Sequence, residues 1–271
     1  MNIVQHKIFT PPKHLQPYIR FYWTLDLNGS GVVDQTFWMY ARRYPRLVVQ
    51  HYDGSSAVTN ANGYLPVSYL GGLNLTPYAC GIHPCAKIMG ASFYPHTLRR
   101  FFGFDVVDMV DELPDLTNFA PEWWVASMVE ETDENRKLAK LSEFFTSRLL
   151  HAAPRDSAIQ TGWEKISQFP ASCNIMSLAK DFGISPRQLE RRFKLTIGYS
   201  PKQFLRVSRF EIALAELKAR IDPKISDIAY RLGYADQSHL IREFKEFSGH
   251  TPTRYLSTGK FYEENGAFIV K

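Results

Sequence analysis

The chain has 271 residues, of which 45% are hydrophobic and 22% charged, with a formal net charge of +5. That is globular composition, neither disordered nor fibrous, and the length favours two domains over one. No run of about 18 apolar residues is present to span a membrane, residues 1–12 lack the basic and apolar stretches of a secretory signal, and three cysteines (Cys80, Cys85, Cys173) argue against a disulfide framework and for a reducing cytoplasm.

Up to about Asp115 the pattern predicts a β-rich unit. Runs rich in Val, Tyr, Phe and Trp (Tyr18–Leu27, Arg46–Gln50, Ala57–Asn60, Lys87–Phe93) alternate with Asn28-Gly29-Ser30-Gly31, Asp53-Gly54-Ser55, Asn62-Gly63 and Gly71-Gly72, read as turns. Many short strands with such punctuation predict a sandwich or barrel. A short helix is expected after Pro95, with Leu98, Phe101 and Phe102 on one side. From about Pro121 the period becomes helical. Trp123 and Trp124 open a helix and should anchor it to the sandwich. Leu138, Leu141, Phe145 and Leu149 then form a stripe that packs on its own β unit or on a second subunit as a homodimer contact. Residues 152–157 break the helix and read as a linker, and 157–257 carry helical punctuation only.

The charge is not spread evenly. Residues 1–162 hold 14 basic and 15 acidic side chains, 163–257 hold 16 and 10, and 258–271 hold two of each. The excess therefore lies in one block, where it is either a solvated surface or a polyanion-binding face.

That block contains an internal repeat. Leu178-Ala179-Lys180-Asp181-Phe182-Gly183 returns 50 residues later as Ile228-Ala229-Tyr230-Arg231-Leu232-Gly233. At an offset of 51, Leu189, Arg191, Phe193, Lys194, Gly198 and Pro201 then match Leu240, Arg242, Phe244, Lys245, Gly249 and Pro252. The extra residue falls in the turn, where insertions are cheapest.

Each copy reads as a helix-turn-helix. A small alanine lets two helices approach, a glycine ends the first helix in a left-handed conformation, and Ser185 (before Pro186) or Asp236 caps the second. Leu189 with Phe193, and Leu240 with Phe244, face the core. Arg187, Gln188, Glu190, Arg191 and Lys194 face outward on one second helix, and Gln237, Ser238, His239, Arg242 and Lys245 on the other. Arginine can read guanine bidentately and glutamine adenine, while lysine and arginine also hold phosphate. The helix from Pro201 to Arg220 between the copies is roughly 28 Å long. The spacing of major grooves along one face is about 34 Å. One chain could therefore present both second helices to adjacent grooves of double-stranded DNA without a palindrome.

The residues from Ile175 to Leu256 resemble the AraC/XylS family of bacterial transcription regulators. The densest match is Ile225-Ser226-Asp227-Ile228-Ala229-Tyr230-Arg231-Leu232-Gly233-Tyr234-Ala235-Asp236-Gln237-Ser238-His239-Leu240, with Phe244-Lys245 and Gly249-His250-Thr251-Pro252 after it. The resemblance implies two helix-turn-helix units joined by a long helix, and a protein that activates or represses promoters, often contacting RNA polymerase. By motif position it implies base reading by Arg187, Glu190 and Arg191, and by Gln237, Ser238, His239 and Arg242. The acidic Glu190 departs from this pattern: it would accept from cytosine or pair with a neighbouring arginine.

The N-terminal half is similar, more loosely, to the β-rich, cupin-like sensor domains of some of these regulators, through Pro17-Tyr18-Ile19-Arg20-Phe21-Tyr22-Trp23, Tyr44-Pro45-Arg46-Leu47-Val48-Val49-Gln50 and Met89-Gly90-Ala91-Ser92-Phe93-Tyr94-Pro95. The resemblance implies a small-molecule effector or dimerisation. Tyr22, Trp23, Trp38, Tyr40 and Tyr78 are pocket candidates as well as core candidates, and Arg42, Arg43 and Arg46 would clamp an acidic effector or cover surface.

Chemistry is otherwise sparse. Cys80, His83 and Cys85 could bind zinc, but a fourth ligand is lacking and Gly81 with Pro84 marks a turn, so no metal is assigned. No phosphate loop or nucleophile elbow appears, and neither a cofactor nor an enzymatic role is expected. The resulting expectation is an α+β chain of two domains. A β-sandwich or cupin-like effector and dimerisation unit with flanking helices covers 1–155, an all-α tandem helix-turn-helix unit covers 156–257, and a tail covers 258–271, whose Phe261, Tyr262, Phe268 and Ile269 would pack on the helical half.

Overall fold

The computed structural model describes residues 5–28, 35–152, 154–219 and 224–257, and the backbone of 261–262 and 268–269. Nine strands precede the first helix: β1 (Gln5–Phe9), β2 (Ile19–Asp26), β3 (Gln35–Met39), β4 (Arg46–His51), β5 (Val58–Asn60), β6 (Gly63–Tyr64), β7 (Ser68–Gly71), β8 (Tyr78–Ile82) and β9 (Lys87–Phe93). They form two antiparallel sheets, ordered β1-β2-β9-β4-β7 and β3-β8-β5-β6. The strands expected over Tyr18–Leu27, Arg46–Gln50, Ala57–Asn60 and Lys87–Phe93 are present to within a residue or two. Asp53 and Gly54 turn with positive φ, and Gly63 closes the β5–β6 hairpin. The Asn28-Gly29-Ser30-Gly31 turn lies mostly outside the described residues.

The period of two sorts side chains between two cores. Tyr22, Leu47, Val49, Met89, Ala91 and Phe93 point toward helices. Trp23, Leu25, Val48 and Ile88 point the other way, against Phe37, Met39, Cys80 and Ile82 of the second sheet. Gly90 is glycine because β4 and the Trp23 ring crowd it: a Cβ there would stand 2.3 Å from the Leu47 carbonyl oxygen. Gly71-Gly72 is not a turn. Gly71 ends β7, and a Cβ on Gly72 would lie 2.1 Å from the carbonyl oxygen of Met109, so the pair admits a crossing backbone.

Three helices cover the outer face of the larger sheet: α1 (Thr97–Phe102), α2 (Glu122–Glu130) and α3 (Glu134–Leu150). The α3 stripe packs on its own β unit: Leu141 and Phe145 are buried, and Leu138 and Leu149 partly so. Of the tryptophan pair only Trp124 anchors α2, stacking on Phe144, whereas Trp123 is 71% exposed.

Residues 157–257 are helical throughout their described part: α4 (Ser157–Gln168), α5 (Ile175–Asp181), α6 (Pro186–Ile197), α7 (Pro201–Ala219), α8 (Ile225–Arg231), α9 (Gln237–Ser248) and α10 (Pro252–Ser257). Their core takes in Tyr40, Ala41 and Leu73 from the β half, so the two halves share buried apolar surface. The tail departs from expectation. β10 (Phe261–Tyr262) pairs with β11 (Phe268–Ile269), and β11 runs beside β3, on the β half rather than the helical one. No helix among the described residues is long and apolar enough to cross a membrane.

Candidate nucleic-acid interface

The repeat is geometric as well as sequential. α5 and α8 are seven residues long and 50 positions apart, and α6 and α9 are twelve residues long and 51 apart. Gly183 and Gly233 both have left-handed φ, +63° and +71°. The next residue then bonds back over the turn: Ile184 N–H donates to the Ala179 carbonyl at 3.1 Å and Tyr234 N–H to that of Ala229 at 3.0 Å. This closure satisfies carbonyls left open at the helix end. The second helices are capped as expected, with Pro186 at the first position of α6. Asp236 Oδ1 accepts the His239 N–H at 2.7 Å and Ser185 Oγ accepts that of Gln188 at 3.2 Å.

The buried faces of the two second helices match. Leu189, Phe193, Leu240 and Phe244 are at most 1% exposed. Arg187, Arg191, Gln237, Ser238, Arg242 and Lys245 are exposed, and none has an ion-pair partner among the described residues. Four positions behave differently. The Gln188 amide oxygen accepts the Ser185 N–H at 2.8 Å, completing a reciprocal capping box. Glu190 pairs with Lys194 at 2.8 Å, not with an arginine. His239 is partly buried, set edge-on against Tyr234 with Nε2 3.6 Å from the Glu243 carboxylate.

Partly buried ionic braces, which the sequence pattern does not single out, tie these helices to their neighbours. Arg192, next to the exposed Arg191, turns inward, and its Nε donates to Asp156 at 2.9 Å. Arg206 on α7 reaches α9, 2.5 Å from Glu243 and 2.6 Å from Glu246. The Glu243 side chain is 7% exposed, and such a buried carboxylate is tolerable only because it is paired. The Tyr234 phenol beside it is held above its usual range, by burial first and then by this carboxylate. Both second helices end against the β half. Gly198 lies beside Val106 and Val110, and Gly249 beside Trp38 and Pro77. The exposed residues at the opposite, N-terminal ends are the ones that reach base edges in helix-turn-helix proteins.

The effector candidates are spread over three packing environments. Tyr22 lies in the helix-facing core, where burial pushes its phenol up to about 12 against a hydrogen bond with Ser142. Trp23 lies between the sheets. Trp38 and Tyr40 pack where the two halves meet, edge-on to His250 and Tyr255 respectively. Tyr78 is partly buried at the inter-sheet core, and Arg46 is partly exposed on β4. None of the six lines the cavity of about 570 Å³ over the smaller sheet, bounded by Thr36, Tyr52, Thr59, Tyr64 and His83, or the cavity of about 230 Å³ beneath α3. Of the three arginines, Arg42 is buried, with its guanidinium on the Met39 sulfur at 3.3 Å, and Arg43 pairs with Glu211. Cys80 points into the inter-sheet core, where burial raises its thiol to about 12, and His83 Nδ1 accepts the Cys85 N–H in the following turn.

Two family models match separate parts of the chain. A helix-turn-helix domain family matches residues 178–258, and a domain of unknown function (DUF6597) matches residues 7–115. The transcriptional regulator RipA of Corynebacterium diphtheriae is 29% identical over 105 residues, 38% of this chain and 31% of RipA. The transcriptional activator RhaS of Citrobacter koseri is 35% identical over 69 residues, 26% of this chain and 24% of RhaS. The chain thus spans a third or less of the length of these two. The regulatory protein SoxS of Salmonella typhimurium is 34% identical over 82 residues, 30% of this chain but 76% of SoxS. Among solved structures, the C-terminal domain of AraT from Geobacillus stearothermophilus is 27% identical, with a TM-score of 0.37 over 41% of this chain and 93% of that one. ToxT from Vibrio cholerae is 11% identical, with a TM-score of 0.45 over 94% of this chain and 98% of that one. With its duplicated helix-turn-helix and its match to most of SoxS, the chain belongs to the AraC family of helix-turn-helix transcription regulators.

Proposed function

We propose that the protein regulates transcription by binding promoter DNA sequence-specifically, with α6 and α9 in successive major grooves. The observation that carries this reading is the pair of congruent, capped helices whose exposed N-terminal halves present Arg187, Arg191, Gln237 and Arg242 in the block that holds the excess positive charge. Arg187, Arg191, Gln237, Ser238 and Arg242 face the base edges, Lys194 and Lys245 sit toward phosphate, and Glu190 tempers the charge of Lys194. The Gln188 side chain completes the Ser185 cap, and the His239 ring packs on Tyr234 near Glu243. Contact with RNA polymerase accompanies promoter binding. The function belongs to the cytoplasm and needs neither cofactor nor catalysis.

In this reading 1–155 is the controlling unit, 156–257 the DNA-binding unit and 258–271 a tail. A small-molecule effector, or a homodimer contact through the β half, would act by preferring one arrangement of the two units. Selection of bound duplexes from a random library tests the proposal. The expected site is two tracts about 10 base pairs apart, bound with a steep salt dependence. A flat salt titration and no enriched sequence would overturn it.

A further inference from the structure

We propose that the β half carries a binding site for a small phosphorylated metabolite in the cavity beneath the first turns of α3. The cavity holds about 230 Å³, less than a drug-sized ligand requires. Its floor is two cross-strand rows of the larger sheet. Strand register sets Gln5, Asp26, Lys87 and His51 side by side, and two residues along sets Lys7, Thr24, Met89 and Val49 side by side, all on the helix-facing side. Thr132, Glu134 and Lys137 form the roof.

Three basic groups from three elements converge there: His51 at the end of β4, Lys87 at the start of β9 and Lys137 on α3. The acidic groups alongside are engaged. Glu134 pairs with Lys7 at 2.9 Å and accepts the Thr24 hydroxyl at 2.7 Å, and Asp26 accepts the Asn28 N–H at 2.8 Å. No carboxylate among the described residues pairs with Lys87 or Lys137, and both ring nitrogens of His51 are buried without a hydrogen-bond partner.

Burial lowers the Lys137 ammonium and Lys87 lowers it further, against an opposing pull from Glu131. Burial also lowers the His51 imidazole, with Lys137 and Lys87 adding to the shift. Three basic groups gathered at one cavity, two of them partly desolvated, favour an anion among them. The anion that suits them is tetrahedral. Lysines are point charges approaching from separate directions, whereas a planar carboxylate is better matched by an arginine fork, and no arginine lines this cavity. Val49 and Met89 offer apolar contact to the carbon body.

A role for this ligand as effector rests on the regulatory reading above, but its binding does not, so the test uses the full chain without DNA. Thermal unfolding is followed in inorganic phosphate, in glycerol 3-phosphate and in acetate at matched pH and ionic strength. Both phosphates should raise Tm saturably and acetate should not. Lys137→Met should weaken phosphate at least tenfold while leaving Tm in its absence the same or higher, because a half-buried ammonium facing Lys87 is removed. Lys87→Met, at an exposed position, should weaken phosphate without a folding penalty, and Lys13→Met should change nothing. Equal phosphate shifts in the parent and both cavity variants would reduce the effect to general salt stabilisation and overturn the proposal, as would an acetate shift matching that of phosphate. A failed duplex selection beside saturable phosphate binding would sink the DNA reading and leave this site standing.

Discussion

Glu211, midway along α7, holds Arg43 of the β half twice. One carboxylate oxygen accepts the Arg43 backbone N–H at 2.9 Å and the other lies 2.6 Å from its guanidinium Nε. The side chains are only 13% and 16% exposed, so the helix that spaces the two helix-turn-helix units is tied directly to the β half. Glu211→Ala leaves a poorly solvated guanidinium and an unsatisfied N–H, and should cost about 2–4 kcal/mol in denaturant unfolding of the full chain. Lys202→Ala, on the exposed side of the same helix, should stay within about 0.5 kcal/mol. Similar small losses in both would show that the pair does not hold the halves together.

Gln188 and Gln237 both stand in the first turn of their helices, α6 and α9, but do different work. The Gln188 amide is spent on the Ser185 cap, and the exposed Gln237 side chain has no hydrogen-bond partner among the described residues. Ser185→Ala should cost about 1 kcal/mol of stability, and Gln188→Ala a similar or smaller amount, both weakening all duplexes alike. Gln237→Ala should leave stability unchanged and relax preference at one base pair. Competition binding against single-base variants of the selected site distinguishes the two. A loss of base preference at Gln188 alone would reassign it as a reader.

Arg191 and Arg242 stand at equivalent positions and are both exposed. Each change to alanine should cost about 1–3 kcal/mol on the selected site and little on random duplex. Lys194→Ala should weaken every sequence and flatten the salt slope by about one counterion. Its pairing with Glu190 implies that Glu190→Gln has the opposite, sequence-blind effect at low salt. If binding survives the double change at Arg191 and Arg242 unaltered, the recognition helices are misassigned.

The helical half was legible because its signals are local and occur twice: a glycine that must be left-handed, a capping residue, and apolar residues four apart. Even there, long-range pairing was invisible. Arg191 and Arg192 look alike in sequence, and only the fold turns Arg192 toward Asp156. The β half was legible as strands but not as a site. Residue type alone makes aromatics pocket candidates, yet alternation along β2 sends Tyr22 and Trp23 to opposite faces of one sheet. The cluster of His51, Lys87 and Lys137 joins residues 36 and 50 positions apart, through a strand register and a helix packing that no local period encodes. The Gly71-Gly72 pair misled because tight backbone approach and tight turning call for the same residue.

His96 links the halves through a bond with a fixed proton direction. The Trp163 indole N–H can only donate, so at 3.0 Å from His96 Nδ1 it requires that nitrogen to be unprotonated. Burial reinforces the neutral form, and Arg155 and Arg100 oppose a positive charge, lowering the pKa to about 4. The unfolded chain, with a histidine near 6.5, binds more protons between those values. The contribution is therefore intact above about pH 6.5, falls with acidification, and has been lost by the time pH drops below about 4. At pH 5 the loss should be about 2 kcal/mol from this group alone. Denaturant unfolding of the parent and of His96→Gln at pH 7 and pH 5 measures it. The variant should start less stable and show a correspondingly smaller decline, because the glutamine has no proton to gain. Parallel declines would place the titrating group elsewhere and leave the bond to Trp163 without a role in acid sensitivity.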